Sequence, residues 1–168
     1  MGWYCKAANQ GHALAQDRAG WLYEHGRGVE QDYGEAIRWY LKAADQGNAY
    51  AYKNIGRLYE EGRGVARDYG EAMRWYRMAA DQRNIRGQNN VGYLYQSGVG
   101  VKQDYTEAMR WYRMAADQGN AWAQNQLGYL YQNGLGVPRD LEQALQWWRK
   151  AAAGGNEDAK KALAQFGD

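Results

Sequence analysis

A fourteen-residue segment recurs along the chain at a fixed spacing. Residues 68–81 read Asp-Tyr-Gly-Glu-Ala-Met-Arg-Trp-Tyr-Arg-Met-Ala-Ala-Asp, and residues 104–117 repeat them with one change. Related copies begin at residues 32 and 140, which gives a period of 36 residues. A period of this size is typical of a solenoid, in which each small unit buries its apolar face only against its neighbours. The chain is therefore predicted to be an all-α repeat protein.

Each repeat contains two helical patterns. In residues 48–61 the apolar side chains Ala51, Ile55 and Leu58 follow the spacing of one helical face. Residues 69–82 carry a wider apolar stripe, which indicates a helix packed on two sides. Asp68 and Glu71, and their copies in the other repeats, form a capping pair at the start of the second helix. The fold class is thus predicted as an α/α solenoid of antiparallel helix pairs.

Glycines mark the ends of these helices and one position inside them. Gly62 and Gly64 turn the chain between the two helices of a repeat, and Gly47 ends a second helix in the left-handed conformation. Gly56 lies inside the first helix, where glycine costs about 1 kcal/mol relative to alanine, so close approach of the partner helix backbone is predicted there. Arg83 replaces the left-handed glycine at the end of the second full repeat, at a cost of roughly 1 kcal/mol.

The periodicity divides the chain, read as a single repeat domain, into full and partial repeats. The first segment aligns with a second helix alone, and the last segment is a single charged helix that suits a solvent-facing cap. Such a chain is expected to be part of a longer array. The segments are the partial repeat 1–11, the full repeats 12–47, 48–83, 84–119 and 120–155, and the capping helix 156–168.

Composition excludes several classes of partner and location. A formal net charge of +2 is too small to indicate binding to nucleic acid or to an anionic membrane. The sequence shows no apolar run long enough to span a bilayer and no signal peptide, so the compartment stays open between the cytoplasm and, if a leader was removed, the periplasm or exterior. The single cysteine, Cys5, excludes a disulfide framework within the chain and is read as a packing residue.

Groups suited to catalysis are few. His12 and His25 lie 13 residues apart on one helix, roughly 20 Å at the helical rise, too far to share a metal ion. The acids Asp32, Asp68 and Asp104 recur once per repeat at a cap position, whereas an active-site carboxylate would occur once. We therefore expect no catalytic residues, no metal site and no cofactor.

Large side chains that repeat in every unit are assigned to structure. The aromatic columns are predicted to form the core, and an arginine column is predicted to lie on a solvated outer face paired with the glutamates three residues earlier. An acidic partner or lipid headgroups are the alternative for that column. The columns are Trp39, Trp75, Trp111 and Trp147; Tyr23, Tyr59, Tyr95 and Tyr131; and Arg38, Arg74 and Arg110, joined one turn later by Arg77 and Arg113.

The repeat consensus resembles the Sel-one-like repeat (SLR), a relative of the tetratricopeptide repeat. The resemblance covers essentially the whole chain and implies a right-handed superhelix whose concave face is lined by the first helices. It also implies an adaptor function, and the lack of paired cysteines sets this chain apart from the disulfide-bonded relatives. In the last full repeat the matching residues are Ala123, Leu127, Gly128, Leu130, Tyr131, Gly134, Gly136, Val137, Asp140, Ala144, Trp147, Ala151, Ala152 and Gly155.

Binding residues are expected to share one face of the first helices while differing between repeats. Aromatic side chains there are typical anchors, asparagine amides can hold the backbone of an extended peptide, and the basic residues can receive a carboxylate. The predicted partner-binding residues are Trp21, Tyr50, Lys53, Arg57, Arg86, Asn89, Tyr93, Trp122, Asn125 and Tyr129.

These features favour a non-catalytic scaffold that binds a protein or an extended peptide. Two alternatives remain open at the level of sequence. One is a hydrolase-like or ligand-binding protein acting on β-lactams or cell-wall peptides. The other is a structural module, either monomeric or self-associating end to end through the uncapped N-terminal half repeat around Trp3 and Tyr4.

Overall fold

The structure is a computed structural model that describes residues 7–167. Nine complete helices lie within this range, and residues 7–9 are helical as well. The helices are α1 (Ala13–His25), α2 (Tyr33–Ala44), α3 (Ala49–Glu61), α4 (Tyr69–Asp81), α5 (Ile85–Ser97), α6 (Tyr105–Ala116), α7 (Ala121–Asn133), α8 (Leu141–Ala153) and α9 (Glu157–Ala164).

The chain divides into two compact units, with the boundary along the sequence between Asn84 and Ile85. In the first unit, α1 packs on α2, α2 on α3, and α3 on α4. In the second unit, α5 packs on α6, α6 on α7, α7 on α8, and α8 on α9. The predicted all-α fold of successive helix pairs is confirmed, and residues 7–167 contain no strand. Cys5 and the Trp3–Tyr4 end lie outside the described residues.

The predicted caps begin the second helix of every repeat. Asp68 Oδ1 accepts hydrogen bonds from the backbone N–H groups of Gly70 and Glu71, at 2.8 and 3.0 Å. The aspartates that precede α2, α6 and α8 accept the equivalent bond from the residue three positions on. These bonds satisfy backbone donors that a helix leaves free at its N-terminus. The helix starts are therefore fixed locally, as the sequence predicted.

The glycine inside each first helix faces an aromatic ring of the second helix. A Cβ atom on Gly56 would lie 2.7 Å from the Cδ1 and Cε1 atoms of Tyr76 and 3.2 Å from the carbonyl oxygen of Ala72. Gly20 meets Tyr40 and Gly92 meets Tyr112 in the same way. The predicted close approach of the helices exists, but its main contact is the tyrosine ring and not the partner backbone.

The deepest aromatic column differs from the predicted one. Tyr40, Tyr76 and Tyr112, one residue after the tryptophan column, are fully buried. Trp111 and Trp147 are buried as predicted, whereas Trp39 and Trp75 are only partly buried. The column Tyr23, Tyr59, Tyr95 and Tyr131 is partly buried and packs against the core clusters. The tyrosine ring goes deepest because glycine on the facing helix leaves room for it.

The outer-face arginines are paired as predicted, with one exception. Arg38 Nη1 lies 2.6 Å from Glu35 Oε1, and Arg74 and Arg110 each lie 3.5 Å from the glutamate three residues earlier. Arg113 instead donates to the hydroxyl of Tyr131 at 3.1 Å and lies over the Trp147 ring, 4.5 Å from its centroid. The prediction that Arg113 lies on the solvated outer face was wrong, because the next repeat covers this side chain.

Candidate partner-binding surfaces

The first helices of the repeats position the candidate residues. In the first unit these helices are α1 and α3, and in the second unit they are α5 and α7. The internal glycine of each helix faces its tyrosine or tryptophan partner, which fixes the rotation of the helix about its axis. Positions one residue after the glycine, and three or six residues before it, then lie away from that contact.

A buried carboxylate joins the two first helices of the first unit. Glu24 in α1 has only 3% of its surface exposed, and its Oε2 accepts a hydrogen bond from Tyr40 Oη at 2.7 Å. Its Oε1 accepts a hydrogen bond from Arg57 Nη2 in α3. Arg57 Nη1 also pairs with Glu61 Oε2 at 3.0 Å. The guanidinium of Arg57, a predicted partner-binding residue, is thus engaged within the chain.

A second polar bridge lies one turn away on the same two helices. Asn54 Nδ2 donates to Asp17 Oδ1 at 2.9 Å, and Lys53 Nζ donates to Asn54 Oδ1. Burial raises the pKa of the Asp17 carboxyl, although the bond from Asn54 and the charge of Lys53 oppose this shift. Lys53, the second predicted basic contact of the first unit, therefore also belongs to the bridge.

The aromatic residues of the first unit differ in exposure. Trp21 is partly buried, stacks on His25 with 4.5 Å between ring centroids, and lies under the guanidinium of Arg18 at 4.1 Å. It also packs against the core cluster of this unit. Tyr50, at the start of α3, has 59% of its surface exposed. Among the predicted aromatic anchors of this unit, Tyr50 is thus the accessible one.

The second unit replaces the charged bridge by a neutral one. Gln96 in α5 occupies the position of Glu24, and its Oε1 accepts hydrogen bonds from Tyr112 Oη at 2.7 Å and from Gln126 Nε2 at 3.3 Å. Tyr129 in α7 occupies the position of Arg57. Because the neutral bridge of the second unit needs no cation, the position after Gly128 can hold an aromatic side chain, Tyr129.

Three aromatic side chains of the second unit are exposed on its first helices. Tyr93 in α5 has 47% of its surface exposed, and Trp122 and Tyr129 in α7 have 40% and 45%. The Trp122 ring meets the buried ring of Tyr112 edge-on, with 5.4 Å between centroids. Trp122 therefore rests on the core while one side of its ring stays in solvent.

The remaining predicted residues of the second unit fall into two groups. Asn89 donates from Nδ2 to the capping oxygen of Asn120 at 3.1 Å, and its own Oδ1 is buried without a hydrogen-bond partner. Its amide is thus enclosed in the link between α5 and α7. Arg86 is exposed and Asn125 is partly buried, and neither takes part in an ion pair or hydrogen bond within residues 7–167.

Sequence reasoning missed the residues that hold the first helices together. Glu24, Glu60 and Gln96 each accept a hydrogen bond from the buried tyrosine of their own repeat. The available signal was a polar residue four positions after the internal glycine in every repeat, opposite a tyrosine whose hydroxyl needs a partner. None of these three residues was assigned a bonding role from the sequence.

No group of three or more His, Cys, Asp or Glu side chains suited to a metal ion occurs in residues 7–167. A cleft of about 480 Å³ lies between the α5–α6 turn and Gly136. Two of its polar residues serve the fold, since Gln103 bonds the Gln96 carbonyl and Asp104 caps α6. Within the same range, no helix is both long and apolar enough to cross a membrane.

Helix pairs that repeat along the chain and pack on their neighbours define an α/α solenoid protein. The chain belongs to the Sel1-repeat family, whose repeat profile matches residues 1–12, 13–48, 49–84, 85–120 and 123–156. Sel1-repeat proteins are generally protein-interaction scaffolds, and their fold is typically non-enzymatic. No curated protein matches the chain.

Solved structures of Sel1-repeat proteins share the fold. The chain is 45% identical to c5321, a protective antigen of uropathogenic Escherichia coli with an SLR fold, with a TM-score of 0.96 over 99% of this chain and 36% of that one. It is 40% identical to a Sel1 repeat protein of Oxalobacter formigenes, with a TM-score of 0.89 over 93% of this chain and 64% of that one. The immunity protein Pa5087 of Pseudomonas aeruginosa is 25% identical, with a TM-score of 0.61 over 93% of this chain and 58% of that one.

Proposed function

We propose that the chain is a non-catalytic scaffold that binds a protein or an extended peptide through the outward faces of its first helices. The observation that carries the proposal is the exposure of Tyr93, Trp122 and Tyr129 on α5 and α7. Rings of this kind supply a large contact area at a small loss of side-chain entropy, and tyrosine and tryptophan dominate binding hot spots.

The packing of these rings suits them as anchors. Trp122 is supported edge-on by Tyr112, so that a partner covers only its free side and does not have to order the whole ring. Tyr93 and Tyr129 occupy the same position in consecutive repeats, one residue after Gly92 and Gly128. An extended peptide that crosses α5 and α7 would meet both rings, with the free amide of Asn125 beside them.

The first unit contributes differently to the proposed binding. Tyr50 is its most exposed aromatic side chain on a first helix, whereas Lys53 and Arg57 are held by Asn54 and Glu24. Trp21 is held between Arg18 and His25. In this proposal Tyr50 is the contact residue of the first unit, and the other three residues keep its surface rigid.

The test uses a random peptide library displayed on phage and selected on the immobilised chain. Enriched peptides are expected to lose binding to the double variant Trp122→Ala/Tyr129→Ala, while circular dichroism shows unchanged helix content. The matched control is Met114→Ala/Leu141→Ala, which removes two exposed apolar side chains from the second helices of the same unit. Equal binding to the wild-type chain and to the Trp122/Tyr129 variant would refute the proposal.

A further inference from the structure

The first helices of the second unit carry almost no charge. The 13 residues of α5 include a single ionised side chain, Arg86, and the 13 residues of α7 include none. Polar positions in these helices hold asparagine, glutamine or serine instead. In α1 and α3 of the first unit, by contrast, the same stretch contains Asp17, Arg18, Glu24, His25, Lys53, Arg57, Glu60 and Glu61.

This difference decides which charges a partner can bring to α5 and α7. A charged group that leaves water must find a counter-ion or hydrogen bonds in the interface, and an unpaired one opposes binding. On these two helices the only counter-ion is the guanidinium of Arg86, which is exposed and has no carboxylate partner within the described residues. A partner with several charges would therefore lose more hydration than it gains in pairing.

The neutral polar groups also limit the partner. Gln96 and Gln126 bond each other and Tyr112, and Asn89 bonds Asn120, so these amides are engaged in the fold. Among the predicted binding residues of this unit, Asn125 keeps its carboxamide available, and a carboxamide offers both a donor and an acceptor, which matches a peptide group. Sugar hydroxyls are best held by charged acceptors, and α5 and α7 contain no carboxylate. The chemistry of the surface thus favours polypeptide over oligosaccharide.

We infer that the surface formed by Arg86, Tyr93, Trp122, Asn125 and Tyr129 selects an extended polypeptide segment with uncharged side chains and one carboxylate, which pairs with Arg86. The inference rests on the proposed function and adds the chemistry of the partner.

The experiment sorts the peptides from the phage selection by charge. Peptides whose enrichment depends on Trp122 and Tyr129 are synthesised, and their affinities for the full chain are measured by fluorescence anisotropy. We expect net charges of zero or −1 and a change in Kd of less than about threefold between 0.05 and 0.5 M NaCl, because few counter-ions are involved. Arg86→Gln is expected to weaken an acid-containing peptide about fivefold and its Asp→Asn version less than twofold. Arg110→Gln, an exposed arginine on α6, is the matched control.

Four results that differ from these expectations would each overturn the inference. Enrichment of strongly acidic or basic peptides through Trp122 and Tyr129 would contradict the predicted chemistry and leave the proposed scaffold function intact. Enrichment that ignores both residues would contradict the two proposals together. Neutral cello- or chito-oligosaccharides that bind through Trp122 in place of peptides would show a different class of ligand. Self-association that the Trp122/Tyr129 variant abolishes, measured by light scattering, would identify a second copy of the chain as the occupant.

Discussion

Glu24 of the first repeat and Arg57 of the second form an ion pair in which the carboxylate is almost fully removed from solvent. The carboxylate is also bonded by Tyr40, so one buried acid links three helices, α1, α2 and α3. Burial lowers the pKa of Arg57, but the hydrogen bond and charge of Glu24 outweigh it, so that the pKa is raised overall. The guanidinium of Arg57 is therefore charged throughout the physiological pH range.

Removing the cation of this pair is expected to destabilise the first unit strongly. Arg57→Ala leaves a buried carboxylate without its counter-ion, which costs about 3 kcal/mol of unfolding free energy. Glu24→Gln should cost no more than about 1 kcal/mol, because the amide oxygen still accepts from Tyr40, as Gln96 accepts from Tyr112 in the third repeat.

A double-mutant cycle with urea denaturation measures this coupling. In the Glu24→Gln background, Arg57→Ala is expected to cost less than about 1 kcal/mol, since no buried charge is left behind. A cost for Arg57→Ala that is the same in both backgrounds would mean that the packing of the arginine stem, and not its charge, stabilises the unit.

Gly56 is predicted to resist substitution although it lies in the middle of a helix. Alanine would gain about 1 kcal/mol of helix propensity, but its Cβ would lie 2.7 Å from the Tyr76 ring, and overpacking of this kind costs about 1–3 kcal/mol. The ring is fully buried, and the Cβ atom would also lie 3.2 Å from the carbonyl oxygen of Ala72. We therefore expect Gly56→Ala to lower the unfolding free energy by about 1 kcal/mol.

The matched control for Gly56 lies in the next helix. Gly70 occupies the second position of α4, where the first repeat also has a glycine, Gly34, but the last two repeats carry Thr106 and Glu142, so that Gly70→Ala should be neutral or stabilising. Thermal unfolding followed by circular dichroism compares the two variants. A stabilised Gly56→Ala would show that the Tyr76 ring moves aside easily and that the close contact has no energetic weight.

The features that the sequence predicted correctly are those set by local bonds. The Asp68 cap and the left-handed backbone at Arg83, with φ of 60°, depend on residues within a few positions of each other. The helix pattern did not show that Glu24 and Arg57 bond, because they are 33 residues apart and meet only through the stacking of two repeats.

The sequence patterns could not rank the aromatic side chains by how deeply they are buried. Trp75 and Tyr76 are adjacent in sequence, and both recur in other repeats. The period alone could not separate them, and the larger ring, tryptophan, was assigned to the core. In the structure the ring that faces Gly56 is Tyr76, and Trp75 is turned partly outward beside Arg74, with 5.3 Å between the guanidinium carbon and the ring centroid. The rotation of the second helix against the first decides this, and only packing fixes that rotation.

The buried tyrosines should make the protein sensitive to alkali. Burial raises the pKa of the Tyr112 hydroxyl above its ordinary value of about 10. Below this pH the Tyr112 hydroxyl is neutral in both the folded and the unfolded chain, so its full contribution to the unfolding free energy is present. Above it, the unfolded chain releases the proton while the folded chain keeps it, so the unfolding free energy falls by up to about 1.4 kcal/mol per pH unit for this one group.

Urea denaturation of the wild type and of Tyr112→Phe at neutral pH and above pH of about 10 checks this linkage. At neutral pH, loss of the hydrogen bond to Gln96 should cost about 1 kcal/mol. At high pH the variant should lose less stability than the wild type, so the difference between them shrinks or reverses. Tyr93→Phe, which alters an exposed ring, is the control. Parallel loss of stability in wild type and Tyr112→Phe would contradict the assignment.

Arg83 is the one position where a simple substitution is expected to stabilise the chain. It is the only residue other than glycine with a positive φ among the described residues, and it occupies the place that Gly47, Gly119 and Gly155 hold in the other repeats. A side chain in this conformation costs roughly 1 kcal/mol, and the greater freedom of glycine in the unfolded chain offsets part of the gain. Arg83→Gly should therefore raise the unfolding free energy by about 0.5 kcal/mol, as measured by urea denaturation. In the reciprocal change, Gly119→Arg, the added Cβ atom meets no atom within 4 Å, and the change should lower the unfolding free energy by about the same amount. If both variants were less stable than the wild type, contacts of the Arg83 side chain would have to outweigh its backbone strain.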